Sequence, residues 1–309
     1  MIQIKTARNK SLDELAKEHF NLIKKDLEIK EEQKTKLGNS DFCNFISVNF
    51  ERIILSKPYE FEGIIKEIEK TSINFKDKVN EKRTKKDVVL EVFFYSKYDK
   101  WKPYKLASDL GVDTCPYCNR QYISVAGTDK DKGTRCEFDH FLDKATYPYL
   151  ALSFYNLIPS CHVCNSNLKG SKEFNLGQYI HPYMEGFEED AKFTYIPTDY
   201  NGLVGGLNFN IQFNLYSRDK KQKILNNIST FKLEEQYKHN KDSVSELIRK
   251  KIITSGAYLD MLMKQYPDAF QSKEELYQFA FGNYIKEEDF HKRPLSKLTH
   301  DIAEELGLI

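Results

Sequence analysis

Two short cysteine pairs carry the clearest chemical signal in this sequence. Cys115-Pro-Tyr-Cys118 and Cys161-His-Val-Cys164 are separated by 42 residues. Each pair can turn two thiolates to one side of a tight knuckle. Two knuckles complete a tetrahedral four-sulfur site for Zn²⁺ with no open position, which is a structural site. The alternative is four unrelated buried cysteines, and two coincident Cys-x-x-Cys spacings argue against it. Cys43 and Cys136 are left over and read as small buried hydrophobes.

The insert between the knuckles holds a second set of reactive types. Glu137-Phe-Asp139-His140 closes a strand-like run, Tyr155-Asn156-Leu157 leads into the second knuckle, and Asn165 follows Cys164 directly. Asp139 can offer a carboxylate oxygen to a hard divalent cation. His140 can take a proton from water near neutral pH. A cation beside a general base is what phosphodiester hydrolysis requires.

The order Asp-His, Asn 16 residues later, then Cys-x-x-Cys-Asn and Lys169-Gly170 resembles the HNH (ββα-metal) endonucleases of the zinc-stapled, four-cysteine subgroup. The resemblance spans about 70 residues, from Cys115 to about Tyr183. Within that family the span from Asp139 to Gly170 is most similar to the PtuB-like HNH nucleases of Septu-type anti-phage systems. The resemblance implies that His140 is the base activating water and that Asp139 is a ligand of a catalytic Mg²⁺ or Mn²⁺. It implies that Asn156 holds the catalytic loop by hydrogen bonding. Asn165 stands where many members carry a metal-binding His and others an Asn, so the second ligand is Asn165 or the downstream His181. It further implies hydrolysis leaving 5′-phosphate and 3′-hydroxyl ends, DNA rather than RNA as substrate, and an ATPase as partner. No Walker A loop occurs in this chain, so ATP hydrolysis would have to come from that partner.

Each role has a plainer counterpart. Asn156 could cap a turn, Asn165 could cap the helix after its knuckle, and His181 before Pro182 could be a satisfied loop histidine. His162, Lys144, Lys169 and Lys172 are candidate phosphate contacts, although exposed Lys is common everywhere. A zinc-dependent nucleic-acid or protein binding module without catalysis would keep the cysteines but have no use for Asp139 and His140 together.

The elements that must position these residues divide the chain into three regions. Residues 1–110 read as helical. Ser11-Leu-Asp-Glu14 is a capping box ahead of an apolar stripe at Leu12, Leu15, Ala16, His19, Leu22 and Ile23. Further helices are expected at 41–55, 60–71 and 86–97, and Leu106–Leu110 is expected to stop at Gly111. Residues 111–190 form the expected nuclease core. There 120–125 and 134–139 read as a hairpin, and 164–170 as a short helix. Residues 191–309 begin with a hairpin. Leu207, Phe209, Ile211, Phe213 and Leu215 alternate with polar residues, and 192–197 is the expected partner strand. Helices follow, with one stripe at Leu233, Tyr237, Val244, Leu247, Ile248 and Ile252, a break at Gly256 and a second capping box from Ser272 to Glu275. The expected class is α+β, with a zinc-stapled ββα-metal core between helical and hairpin-plus-helical flanks.

Composition sets the outer bounds. Apolar residues make up 40% and charged residues 30%, as in an ordinary globular chain. No apolar run reaches the ~20 residues needed to span a bilayer. The first ten residues lack a signal-peptide core, so the expected compartment is the cytoplasm. Lys plus Arg is 47 against 46 acidic residues, a net charge of +1. That balance predicts weak nucleic-acid binding by the chain alone and fits delivery of substrate by a partner. Basic stretches at 76–86 and 218–223 read as solvated helix faces. The flanking helices could serve a homo-oligomer, an ATPase or DNA, and periodicity does not choose among them.

Overall fold

A computed structural model of the chain describes residues 1–5, 10–93, 100–253 and 256–309. The capping box forms as the sequence requires. The Ser11 amide and hydroxyl donate to the Glu14 carboxylate at 2.7 and 2.9 Å, and the Glu14 amide donates back to Ser11 Oγ at 3.2 Å. It starts helix α1 (Leu12–Ile23), which buries Leu15, Ala16, His19 and Ile23. α2 (Glu31–Leu37), α3 (Ser40–Leu55) and α4 (Phe61–Glu69) follow. Asn39 caps α3 by accepting the Phe42 amide. α5 (Lys85–Phe93) covers the described part of the helix expected at 86–97, whose last residues lie outside the described ones.

The basic stretch at 76–86 is not a helix face. Its first half turns as a small hairpin, β1 (Lys78–Asn80) with β2 (Arg83–Thr84), and its charges pair Lys85 with Asp77 and Arg83 with Glu91. α6 (Pro103–Leu110) begins on proline, where a missing N–H costs nothing, and ends at Gly111 with φ +62°.

The expected pairing of 120–125 with 134–139 gives way to a different hairpin. The first segment makes only isolated bridges, Thr114 with Tyr122 and Ala126 with Thr134. β3 (Glu137–His140) pairs instead with β4 (Leu157–Ser160), antiparallel, with Glu137 opposite Ser160 and His140 opposite Leu157. Every residue of β4 is buried, so it has no polar–apolar alternation to announce it. A wide-turned π-helix (Val163–Lys169) follows at once and closes through the Gly170 amide on the Asn165 carbonyl.

β5 (Ala191–Pro197) and β6 (Phe209–Leu215) form the third hairpin, in register from Ala191–Leu215 to Pro197–Phe209, with the short α7 (Tyr200–Leu203) in the connection. Phe209, Ile211 and Phe213 point inward, as the alternation predicts. α8 (Lys221–Thr230), α9 (Leu233–Tyr237), α10 (Lys241–Ile253), α11 (Gly256–Gln265), α12 (Lys273–Phe281) and α13 (Ser296–Glu305) complete the chain. The stripe buries Leu233, Tyr237, Val244, Leu247 and Ile248, while Ile252 is exposed. The two residues before Gly256 lie outside the described ones. Ser272 accepts the Glu275 amide, but the Glu275 carboxylate reaches past the Ser272 amide to that of Gln271, so the box does not close.

Buried apolar side chains form one contiguous core that crosses both expected region boundaries. Among the described residues, no helix is long and apolar enough to cross a membrane. The C-terminal part also clasps the first knuckle. Asn119, held at φ +49°, accepts the Leu295 amide on its carbonyl and the Lys297 amide on Oδ1, and donates Nδ2 to the Phe290 carbonyl.

Candidate functional site

The four knuckle cysteines converge. The Sγ atoms of Cys115, Cys118, Cys161 and Cys164 are buried and lie within 4.8 Å of one another. Sulfurs on tetrahedral zinc sit about 3.8 Å apart, given Zn–S bonds of about 2.3 Å. Backbone amides already face two of them: Arg120 N–H toward Cys118 and Cys164 N–H toward Cys161, both at 3.4 Å. The sulfurs share charge among themselves. Hydrogen bonds from its neighbours push Cys118 well down, while burial pushes Cys115 up and contacts with the other three raise Cys164. A buried set of four thiols with one favoured thiolate fits Zn²⁺, whose double charge would hold all four as thiolates. Cys136 stands apart, with burial pushing its thiol up to about 12, as expected of a buried hydrophobe.

β3 carries the second set, and strand geometry divides it. Residues two apart share a face. Glu137 and Asp139 turn toward the π-helix, whereas Phe138 and His140 turn toward the opposite side. Phe138 packs on Trp101, with ring centroids 5.4 Å apart. Asp139 and His140 are therefore neighbours in sequence whose side chains make separate contacts.

His140 is half-buried, and its Nε2 lies 2.9 Å from the Ala151 carbonyl. A carbonyl can only accept, so Nε2 carries the proton and the Nδ1 lone pair is the basic one. Burial and then the Lys144 ammonium push its pKa down, to about 3. Its partial exposure softens that push, and the direction alone makes the ring neutral at physiological pH. Lys144 is itself half-buried, and burial lowers its pKa.

Asn156 is fully buried and ties down the segment after β3. Its Oδ1 accepts the Leu142 amide at 2.7 Å, and its Nδ2 donates to the Leu142 and Leu150 carbonyls at 3.1 Å each. Its own carbonyl accepts the Phe141 amide at 2.9 Å. One side chain thus holds both ends of the turn that follows His140.

Asp139 is 3% exposed and both its oxygens are engaged. The Tyr117 hydroxyl donates to Oδ2 at 2.6 Å, and the Lys169 ammonium donates to Oδ1 at 2.7 Å. Lys169 also donates to the His140 carbonyl at 2.5 Å and lies over the Phe174 ring. Nothing in the local residue pattern marks this lysine as buried. It is not a surface phosphate contact: only 3% exposed, its ammonium sits inside the site as the counter-charge to Asp139.

Asn165 is half-buried and donates Nδ2 to Glu137 Oε2 at 2.8 Å. The same carboxylate receives Ser166 Oγ at 2.9 Å and faces His162 Nδ1 at 2.7 Å. Glu137 was not singled out from sequence, yet it is the polar hook between β3 and the π-helix. Its position two residues before Asp139 on one strand face was the available signal. His162 and Lys172 are exposed. His181 is 1% exposed and packs among Phe61, Phe141 and Tyr183, with burial pushing its pKa down to about 3.

The side chains as they stand do not fit a divalent cation on Asp139. Both carboxylate oxygens are occupied, Asn165 serves Glu137, and His181 is caged in aromatics. Among the described residues, the knuckle cysteines form the one cluster of three or more His, Cys, Asp or Glu side chains able to share a metal ion.

Known proteins give a partial match. The chain is 35% identical over 75 residues to protein ea31 of Escherichia phage lambda, covering 24% of this chain and 22% of that one. It is 34% identical over 86 residues to Septu protein PtuB of Bacillus thuringiensis, covering 27% of this chain and 30% of that one. The chain thus aligns with less than a third of either relative's length. No family profile and no solved structure matches it.

Proposed function

We propose that the chain is an HNH-type endonuclease that hydrolyses phosphodiester bonds, with DNA as substrate and a role in defence against phage. The carrying observation is the brace on His140. Its Nε2 donates to the Ala151 carbonyl and the turn after it is tied by Asn156, which holds a neutral imidazole in one orientation. A fixed neutral imidazole can accept the proton of an attacking water, and the anionic phosphate arriving beside it would favour the imidazolium that forms. The partial likeness to Septu protein PtuB supports the defence setting, and an ATPase partner is what the Septu-type resemblance of Asp139–Gly170 implies. The cysteine cluster supports a structural zinc that stiffens the segment between the knuckles.

The saturated state of Asp139 favours a second reading, a zinc-held binding module without catalysis. One assay separates the two. Full-length protein is incubated with supercoiled plasmid in Mg²⁺, Mn²⁺ or chelator, alongside His140→Ala. The nuclease reading expects nicking that falls roughly 100-fold or more in the variant, the usual loss of a general base. Equal nicking by both proteins removes His140 from the mechanism, and no nicking with either metal favours the binding module.

A further inference from the structure

The segment from Leu150 to Ser153 holds His140 and is itself held by the N-terminal helices. All four of its residues are fully buried. Buried carbonyls need donors, and this segment finds them on several sides. Leu150 accepts Asn156 Nδ2, and Ala151 accepts His140 Nε2. The next carbonyl, that of Leu152, accepts Nε2 of His19, from the middle of α1, at 2.9 Å. Ser56, just past the end of α3, sets its hydroxyl 3.3 Å from that of Ser153. The first turn of α1 reaches the same stretch, where the Tyr155 hydroxyl donates to Asp13. Two histidines from distant parts of the chain therefore donate to consecutive carbonyls.

His19 is 2% exposed, between Trp101 and Phe154. Burial pushes its pKa down to about 4, so at physiological pH the ring is neutral with its proton on Nε2. Among the described residues nothing pairs with its Nδ1, so its one protein hydrogen bond is the one to Leu152. An apolar ring would fill the space between Trp101 and Phe154; what the imidazole adds is an N–H for that carbonyl. A buried carbonyl left without its donor is strongly disfavoured, and the segment relieves this by turning the peptide toward water. The Ala151 peptide, one Cα away, turns with it.

We infer that His19 is a positioning residue for His140: by fixing the Leu152 carbonyl it fixes the adjacent Ala151 carbonyl, and with it the orientation and tautomer of the His140 ring. The helix α1 is then part of the site and not a detachable flank. Only the effect on cutting rests on the nuclease reading; the effect on the His140 ring stands without it.

Ring ¹⁵N spectra of the full-length, zinc-loaded protein test the inference, and the seven histidines of the chain can be assigned by single substitutions. In wild type, His19 and His140 must both show the Nε2–H tautomer at neutral pH; an Nδ1–H or averaged pattern for either overturns it. His19→Phe keeps a ring against Trp101 and Phe154 but has no donor, and His19→Leu is a second donor-free variant. Either is expected to speed exchange of the His140 Nε2 proton by about tenfold or more. His19→Gln, whose amide can donate to Leu152, is expected to bring the rate back to within about threefold of wild type. Ser56→Ala loosens the same segment without touching either carbonyl, and should lower Tm while leaving that rate unchanged. An unchanged rate in a folded donor-free variant, no recovery in His19→Gln, or equal acceleration in Ser56→Ala makes His19 an ordinary core side chain and overturns the inference. If wild type nicks plasmid, His19→Phe should lower kcat by about tenfold with little change in KM. Absence of nicking beside an accelerated His140 proton would count against the nuclease reading alone.

Discussion

Replacing Asn156 by alanine removes three hydrogen bonds at one buried point. They run to the Leu142 amide, the Leu142 carbonyl and the Leu150 carbonyl. At about 1 kcal/mol net for each, the loss is about 3 kcal/mol, and it grows if water cannot reach the abandoned backbone groups. For a chain of 309 residues this lowers Tm by roughly 5 °C. Asn156→Asp makes the test sharper. It keeps the acceptor for Leu142 N–H but sets a second oxygen against two carbonyls, so it should destabilise at least as much as alanine does. Thermal melting with zinc content measured on the same samples reads the effect, and zinc should stay near its wild-type level because Asn156 touches no cysteine. If nicking is observed for the wild type, it should drop at least tenfold in both variants as the turn after His140 loosens. A Tm change under about 1 °C with full activity would show that this side chain does not brace the turn.

Cys118→Ser should reduce tightly held zinc from about one ion per chain to none by elemental analysis, with loss of the cooperative melting transition. Retained zinc would contradict a four-sulfur site. His181→Phe should fold, since the ring already lies among Phe61, Phe141 and Tyr183. It should also flatten the acid side of the stability curve. The folded pKa of His181, about 3, lies below the ordinary 6.5, so the unfolded chain takes up the proton first. Its stabilising effect is complete above about pH 6.5 and shrinks as pH falls toward 3. Between pH 7.5 and 5.5 wild type should lose about 1.4 kcal/mol more than the variant in denaturant titrations. Equal slopes would mean that the ring is already charged or solvated in the native state.

Local rules made much of this structure readable. The Ser11 box, the Gly111 stop and the alternation in β6 each follow from a few adjacent residues, and each formed. The cysteine cluster was legible because two identical Cys-x-x-Cys spacings leave few other readings. The partner of β3 was not legible. β4 is four residues long, contains Pro159 and is buried throughout, so no periodicity marks it. Tyr117 escapes notice, and Lys169 reads as a surface phosphate contact, for a related reason. Each has its polar atom on Asp139, and a side chain buried by one specific partner leaves no trace in a pattern built on polarity. Asp139 and His140 look like a pair in sequence because adjacency is visible there, whereas the strand sends them to opposite faces.

The clasp of Asn119 on the segment from Phe290 to Lys297 bears on how the protein is made. A ribosome releases the first knuckle long before the second, and the four-cysteine cluster lacks half its sulfurs until Cys161 and Cys164 have emerged. Even when that four-sulfur cluster is complete, the backbone around Asn119 waits for partners about 170 residues further along. The centre of the molecule is therefore among the last parts to be finished during synthesis. Until Cys161 and Cys164 arrive, the two thiols of the first knuckle lack their partners.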